Sequence, residues 1–164
     1  ALTQGTTALP GYRAITQTVN ATQPVPIPSK TQTNTAWQTQ LSYVLTGEEN
    51  TYWQIKPTKA FDPFNGDWGA WQVAFRWQEL NIDPSTFTNY GSAANPLYLF
   101  ADPRASVSHA QTWGLSANWF LNSNVKLQQS YDSTSFTGGA VTPTGQIANR
   151  PDEHVFWSRV QIWY

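Results

Sequence analysis

Residues 112–132, TWGLSANWFLNSNVKLQQSYD, contain two alternating runs separated by a short turn. In the first run, apolar and polar side chains take alternate positions: Trp113, Leu115, Ala117, Trp119 and Leu121 against Thr112, Gly114, Ser116 and Asn118. The segment from Asn122 to Asn124 suits a tight turn, because Asn and Ser tolerate turn dihedral angles and hydrogen-bond nearby backbone groups. The alternation then resumes, with Val125, Leu127 and Tyr131 opposite Lys126, Gln128, Ser130 and Asp132. A period of two on both sides of a turn predicts two antiparallel strands.

The same period of two recurs at residues 36–46, 71–78 and 153–164. The runs are about 9–12 residues long, the length that a tilted strand needs to cross a bilayer, whereas strands of soluble proteins average about 5–6 residues. Their second face carries Gln, Ser, Thr and an occasional Arg, which suit a water-filled lumen and not a dry core. The sequence therefore predicts an all-β fold of antiparallel transmembrane β-barrel strands.

The composition excludes several classes of protein. Aromatic residues make up 15% of the chain and charged residues 12%, and the formal net charge is −1 without any run of Lys or Arg. Nucleic acid is therefore not an expected partner. The absence of Cys excludes disulfides and thiol chemistry. No stretch approaches the about 18 apolar residues of a transmembrane helix, so we expect any membrane crossing to be made by strands.

Residues 1–35 differ from the rest of the chain. They are rich in Thr, Gln and Pro, and the spacing of Pro24, Pro26 and Pro28 forbids a central strand or a helix interior. We expect a loop or tail here, with one short strand over residues 12–19, and β-barrel strands over residues 36–164.

Three motifs indicate a family. They are Leu45-Thr46-Gly47-Glu48, residues 69–77 (GAWQVAFRW) and residues 114–127 (GLSANWFLNSNVKL). In this order they resemble the closing segments of the phosphate-selective porin O and P family, over residues 36–164. The resemblance implies an outer-membrane homotrimer of barrels with about 16 strands each. It also implies a lumen that conducts small anions, which are phosphate or polyphosphate in the founding members.

The number of runs indicates that they form only part of a barrel. Five clear runs are present, whereas a single-chain bacterial barrel needs at least about eight strands to close. We therefore expect the runs to belong to a larger barrel. The resemblance implies that most of the selectivity machinery, a constriction loop and a ladder of basic side chains, lies upstream of them.

Charged and amide side chains on the polar faces are the candidates for lining a pore. They are Arg76, Lys126, Arg159, Asp132, Gln72 and Gln128. Three cations against one acid give a modest positive bias, and a cation ring in a pore favours anions. The simpler interpretation, wall charges satisfied by neighbouring strands or by water, is open for each of them. Mouth or loop candidates are Lys56, Lys59, Arg104 and Arg150.

The C-terminal run carries a candidate assembly signal. Counting back from the last residue, alternate positions give an aromatic end to an apolar face: Tyr164, Ile162, Val160 and, after Ser158, Phe156. This resembles the C-terminal signature by which outer-membrane barrels are recognised for assembly, although a soluble edge strand can also end in an aromatic residue.

With the C-terminus in the periplasm, the turn at 122–124 and the connection at 48–67 are periplasmic. The loops at 83–110 and 137–152 then face outward. A periplasmic connection as long as 48–67 is unusual, and a short strand over residues 52–56 would change this count.

Nothing in the sequence predicts catalysis, a metal or a cofactor. His109 and His154 lack a second ligand at suitable spacing. The neighbouring acids Glu48-Glu49 and Asp152-Glu153 would point to opposite faces of a strand, which is poor geometry for paired acid–base work. We predict no enzyme activity.

Two other functions remain open. One is a soluble extracellular β-sandwich that binds carbohydrate, with Trp53, Trp68 and Tyr90 as stacking residues. Such a sandwich must fill a dry core with one face of its strands, which the polar alternate positions disfavour. The other is a barrel that serves as a scaffold in an envelope assembly, with a plugged lumen.

Overall fold

The computed structural model describes residues 31–51 and 54–164, and this part of the chain is built from β-strands. A 3-10 turn, Pro84–Phe87, lies between the second and third strands. The strands are β1 Thr35–Val44, β2 Ala70–Asn81, β3 Val107–Phe120, β4 Val125–Val141, β5 Ile147–Asn149 and β6 Glu153–Ile162. No helix in the described residues is long and apolar enough to cross a membrane.

The strands form one antiparallel sheet in which sequence neighbours are spatial neighbours. The order is β1-β2-β3-β4, and β5 and β6 both pair with the far side of β4. This up-and-down order follows from hairpin connections. Within the described residues the outer edges of β1 and β6 have no strand beside them, so the sheet is open here.

The register sorts the side chains onto two faces, since residues opposite each other in neighbouring strands share a face. One row runs Gln40, Arg76, Gly114, Asp132 and defines the polar face. The next row runs Leu41, Phe75, Leu115, Tyr131, Phe156 and defines the apolar face. Leu41 is 70% exposed and Phe156 69% exposed. No second layer covers the apolar face in the described residues, as a sandwich would require.

The strand bounds confirm the alternating runs and extend three of them, those of β2, β3 and β4. β3 begins at Val107 and β4 continues to Val141, so the predicted loops at 83–110 and 137–152 are shorter than the sequence indicated. The second half of β4, STSFTGGAV, has no apolar alternation by which a strand could be recognised. Neighbouring strands define it instead, and the hydroxyls of Thr112 and Thr134 hydrogen-bond across the pair at 2.8 Å.

β5 and β6 share one edge of β4 and are separated at Pro151. Proline has no N–H to give to a ladder, so a strand that reaches it must break or bend. On the β5 side of the break, the Arg150 N–H donates to the Gly138 carbonyl at 2.9 Å, and the Gly138 N–H donates to Asn149 Oδ1 at 3.0 Å. Hydrogen bonds therefore hold β4 and β5 together as far as Pro151.

The two ends of the sheet carry different connections. At the short-turn end, the Asn122 side-chain oxygen accepts from the N–H groups of Asn124 at 2.8 Å and Val125 at 2.9 Å. The predicted tight turn is thus confirmed. The β1–β2 connection, 45–69, and the C-terminus lie at this same end, as the predicted topology requires. The loops 82–106 and 142–146 lie at the other end, the long-loop end.

The β1–β2 connection packs against the sheet. Ile55, which is 2% exposed, forms the buried apolar cluster of the described residues with Val44, Ala70 and Phe120. The Phe61 N–H donates to the Leu121 carbonyl at 2.6 Å. Residues 54–56 are not a strand. The predictions for residues 12–19, for most of the 1–35 segment and for Tyr52 and Trp53 lie outside the described residues.

Candidate channel wall

The six predicted pore-lining residues lie together on the polar face of the sheet. Register places them on three strands, with amides and hydroxyls around them: Gln72 and Arg76 on β2, Lys126, Gln128 and Asp132 on β4, and Arg159 on β6. Asn118 on β3 lies between Gln72 and Gln128, and its side-chain amide donates to Gln72 Oε1 at 2.8 Å. This face can hydrogen-bond water and hydrated solutes across its width.

At the centre of the polar face, two opposite charges meet. Arg76 Nη2 lies 2.7 Å from Asp132 Oδ1, and the Asp132 side chain is 17% exposed. The two residues stand on β2 and β4, with Gly114 of β3 between them in register. A Cβ at Gly114 would lie 2.1 Å from Asp132 Oδ1, so the contact depends on the missing side chain. The sequence predicts both charges on this face but does not indicate that they pair.

At the short-turn end of the same face, two cations have no such partner. Neither Lys126 nor Arg159 forms an ion pair with any residue of 31–51 or 54–164. They stand on adjacent strands, because Lys126 pairs with Gln161 and Gln128 with Arg159. Lys126 Nζ lies 5.5 Å from the ring centroid of Phe120 and 5.9 Å from that of Trp163, within cation–π range. The aromatic faces hold the ammonium group without cancelling its charge.

The β1–β2 connection folds over the polar face at this end. The Asn50 side-chain amide donates to Ser42 Oγ at 2.9 Å, and its oxygen accepts from Gln72 Nε2 at 2.9 Å. Between the connection and the wall lies a depression of about 420 Å³ that Lys126 also lines. The sequence predicts where the connection lies along the chain but does not indicate that it folds over the polar face, because Asn50 belongs to no periodic pattern.

The four mouth candidates divide between the two ends of the sheet. Lys56 and Lys59 lie on the β1–β2 connection; Lys59 pairs with Asp67 at 3.0 Å, while Lys56 is exposed and makes no ion pair in the described part of the chain. Arg104 and Arg150 lie at the long-loop end. Each has a nearby acid and a nearby ring: Asp102 at 2.6 Å with Tyr98 for Arg104, and Glu153 with Phe136 for Arg150.

The ion pair between Arg104 and Asp102 in the β2–β3 loop also lowers the pKa of the carboxylate. The side-chain hydrogen bond from Arg104 lowers the pKa of Asp102 below its usual value, against a smaller opposing effect of burial. The backbone N–H of Arg104 bonds to the same carboxylate at 2.9 Å. Asp102 therefore holds the loop together most strongly when it is ionised.

The apolar face has aromatic rows near both ends of its band. Trp71 and Trp119 stack at the short-turn end, with ring centroids 4.9 Å apart. Trp77 and Trp113 stand opposite each other towards the long-loop end. Beyond that second row the same face turns polar, with Glu79, Gln111, Asn81 and His109. Aromatic rows that bracket an apolar band are typical of the membrane interfaces of a β-barrel.

The residues of the predicted assembly signal lie on this apolar face. Phe156, Val160 and Ile162 are exposed on β6, and Tyr164 follows the strand. Ser158, at the polar position of the pattern, accepts a hydrogen bond from Gln129 Nε2 at 2.7 Å. Recognition by an assembly machinery stays a prediction.

The aromatic residues considered for sugar stacking do not form one platform. Trp68 lies at the short-turn end, where its carbonyl accepts from Trp119 Nε1 at 2.7 Å. Tyr90 lies in the β2–β3 loop at the opposite end, and Trp53 is outside the described residues. The arrangement gives no support to a carbohydrate site built from Trp68 and Tyr90.

Each of the two histidines lies within hydrogen-bonding distance of a side chain on a neighbouring strand. His109 Nδ1 lies 2.8 Å from Asn81 Oδ1 and 3.7 Å from Glu79 Oε1, and His154 Nδ1 lies 3.0 Å from the Tyr131 hydroxyl. Within residues 31–51 and 54–164, no group of three or more His, Asp and Glu side chains is placed to hold a metal ion.

An antiparallel up-and-down sheet with one apolar, aromatic-bordered face and one polar, charged face defines the wall of a β-barrel channel. Comparison with known proteins gives the particular family. The profile of the phosphate-selective porin O and P family matches residues 14–148, and the chain belongs to this family. The match begins upstream of residue 36, where the recognisable motifs start.

One curated relative matches in part. Porin O of Pseudomonas aeruginosa is 30% identical over 95 residues, which cover 56% of this chain and 19% of that protein. The chain thus matches about a fifth of the length of its relative. No solved structure shows a significant match.

Proposed function

We propose that this sheet forms part of the wall of a bacterial outer-membrane porin through which small anions, such as phosphate or polyphosphate, diffuse passively. The observation that carries the proposal is the pair of cations, Lys126 and Arg159, on a polar face and without a carboxylate partner among the described residues. Unpaired cations on a wetted wall raise the local concentration of anions. The name of the family supports phosphate as the solute to test first.

The rest of the sheet fits this role. The apolar face meets outer-membrane lipid, and the backbone hydrogen bonds are satisfied between strands, as a membrane-spanning sheet requires. The open edges of β1 and β6 pair with further strands of a closed barrel. Assembly of three barrels into a homotrimer belongs to the same proposal. No catalytic residue is needed for diffusion.

The first experiment uses the full-length native protein, purified from membranes in detergent. Unheated and boiled electrophoresis reports whether a compact, heat-sensitive barrel is present. Planar bilayers with a salt gradient then give the reversal potential, and phosphate replaces chloride in a second series. We expect an anion-selective reversal potential. A folded barrel that conducts nothing contradicts the proposal and favours a scaffold.

Variants at Lys126 link the conductance to this wall. Lys126→Gln removes the charge, and we expect the ratio of anion to cation permeability to fall by roughly two- to threefold. One unit charge about 7 Å away, screened by about 0.1 M salt, changes the energies of an anion and of a cation by about 0.3 kcal/mol in opposite directions. Lys126→Arg is the matched control, since it keeps the charge. Equal reversal potentials for the two variants would show that Lys126 does not act on the solute.

A further inference from the structure

Asp132 is placed to cancel a charge that the pore would otherwise present to its solutes. Its carboxylate lies 2.7 Å from Arg76 Nη2, whose side chain is 39% exposed on the polar face. Neighbouring strands are about 4.8 Å apart, so β2 and β4 are separated by about 10 Å across β3. The pair can close this gap because Gly114 has no side chain between them.

The pairing changes how the wall acts on an ion. A cation and an anion in direct contact form a dipole, and the field of a dipole falls off faster with distance than that of a free charge. An ion passing the centre of the wall therefore meets a nearly neutral surface, while an ion near Lys126 and Arg159 meets net positive charge.

We propose that Asp132 is a selectivity-determining residue that withdraws Arg76 from the field of the pore, with Gly114 as the positioning residue that permits the contact. This rests on the proposed function, since it assumes that the polar face is wetted by solute. Its consequence is that anions are attracted at the short-turn end without being held again at the centre. The short-turn end of the wall therefore attracts anions, and the centre lets them pass.

The test measures reversal potentials of the full-length protein in planar bilayers with a salt gradient. Asp132→Asn keeps the size of the side chain and frees Arg76. We expect the ratio of anion to cation permeability to rise by roughly two- to threefold, because one unit charge about 7 Å from an ion, screened by about 0.1 M salt, changes the local concentrations of anions and of cations by about 1.6-fold in opposite directions. Asp152→Asn is the matched control: it makes the same change in net charge, but at an exposed position between β5 and β6. We expect little shift from it.

A second pair of variants separates the electrostatic role from a structural one. Arg76→Gln leaves Asp132 uncompensated, and we expect the permeability ratio to fall by a similar factor. The double variant Arg76→Gln, Asp132→Asn has neither charge, and we expect it to return close to the wild-type ratio. Electrophoresis before and after heating confirms that each variant is folded.

Two results would overturn the inference. One is a shift for Asp132→Asn no larger than that for Asp152→Asn, and the other is a double variant that stays as far from wild type as either single variant. Neither outcome depends on whether the wild-type channel prefers anions. Opposite shifts of the two single variants support the charge pair even if the wild-type channel shows no preference for anions, which would refute the anion proposal alone.

Discussion

The centre and the short-turn end of the polar face carry similar side chains but present different charge. At the centre, Arg76 meets Asp132 across Gly114. At the short-turn end, Lys126 and Arg159 have no carboxylate partner in the described residues, and aromatic rings border Lys126. The field of a channel wall therefore depends on which of its charged side chains are in contact, and not on their number alone.

The short-turn end also differs in its packing. There the β1–β2 connection folds onto the polar face and buries Ile55, whereas the depression at the centre of the face is lined by strand residues alone. If the face lines a lumen, cations and a narrowed passage coincide at one end. Substitutions that change the charge or the packing of either region test this contrast.

Reversing the charge of both end cations should reverse the selectivity. For Lys126→Glu, Arg159→Glu we expect the anion to cation permeability ratio to drop on the order of tenfold or more, because each substitution changes the local charge by two units. The measurement is the reversal potential in planar bilayers. Arg159→Lys, Lys126→Arg retains both charges and should leave the ratio near wild type. An unchanged ratio in the Glu variant would place these side chains outside the path of the ions.

Ile55→Ala should loosen the connection from the wall. Removing a buried Ile side chain costs about 2–5 kcal/mol, here mostly in local packing against Val44 and Phe120. We expect faster hydrogen exchange in the connection and a higher single-channel conductance. Phe64→Ala is the control on the same connection, because Phe64 is 97% exposed. Equal behaviour of the two variants would mean that the cluster does not hold the connection.

Gly69→Ala should destabilise the junction between the connection and β2 more than Gly66→Ala does. Both glycines have positive φ, of 67° and 76°, so each Ala costs about 1–2 kcal/mol in backbone strain. At Gly69 the new Cβ would also lie 2.3 Å from the Phe120 carbonyl oxygen, while nothing lies within 4 Å at Gly66. Heat-modifiable electrophoresis should show a lower transition temperature for Gly69→Ala. Identical transitions would argue against close packing at this junction.

The smallest expected effect is a pH dependence of the β2–β3 loop. Because the pKa of Asp102 is lowered in the folded state, its contribution to stability is present above the ordinary pKa of Asp and is lost as pH falls through the lowered value. Hydrogen exchange in residues 101–106 should accelerate on acidification, and Asp102→Asn should remove this step. A step that persists in the variant would have to come from another group.

Much of the strand pattern could be predicted from the sequence. Alternation is a local property, since side chains of a strand point to opposite faces whatever its partners are. The runs that begin at residues 36, 71, 112, 125 and 153 therefore became strands, and the polar faces of all five align. The second half of β4 was missed because its Ser, Thr and Gly residues carry no periodic signal, and its place in the sheet comes from its neighbours.

The sequence predicts which residues belong to the candidate site, but not which of them are in contact. The sequence places Arg76 and Asp132 on one face, but they are 56 positions apart, and nothing local indicates that they meet. The hydrogen bonds of Asn50 with Ser42 and Gln72 could not be predicted either, because the β1–β2 connection has no periodic pattern that indicates which face of the sheet it covers.

Local alternation in the sequence is enough to predict long antiparallel strands with one apolar and one polar face, and the motifs indicated the porin family to which the chain belongs. The tertiary structure alone decided which charges cancel and where the β1–β2 connection lies. The difference arises because the two kinds of property depend on residues at different separations along the chain. Hydrophobic periodicity is set by neighbours in the chain, whereas ion pairing and loop packing depend on strand register and on the space left by residues such as Gly114.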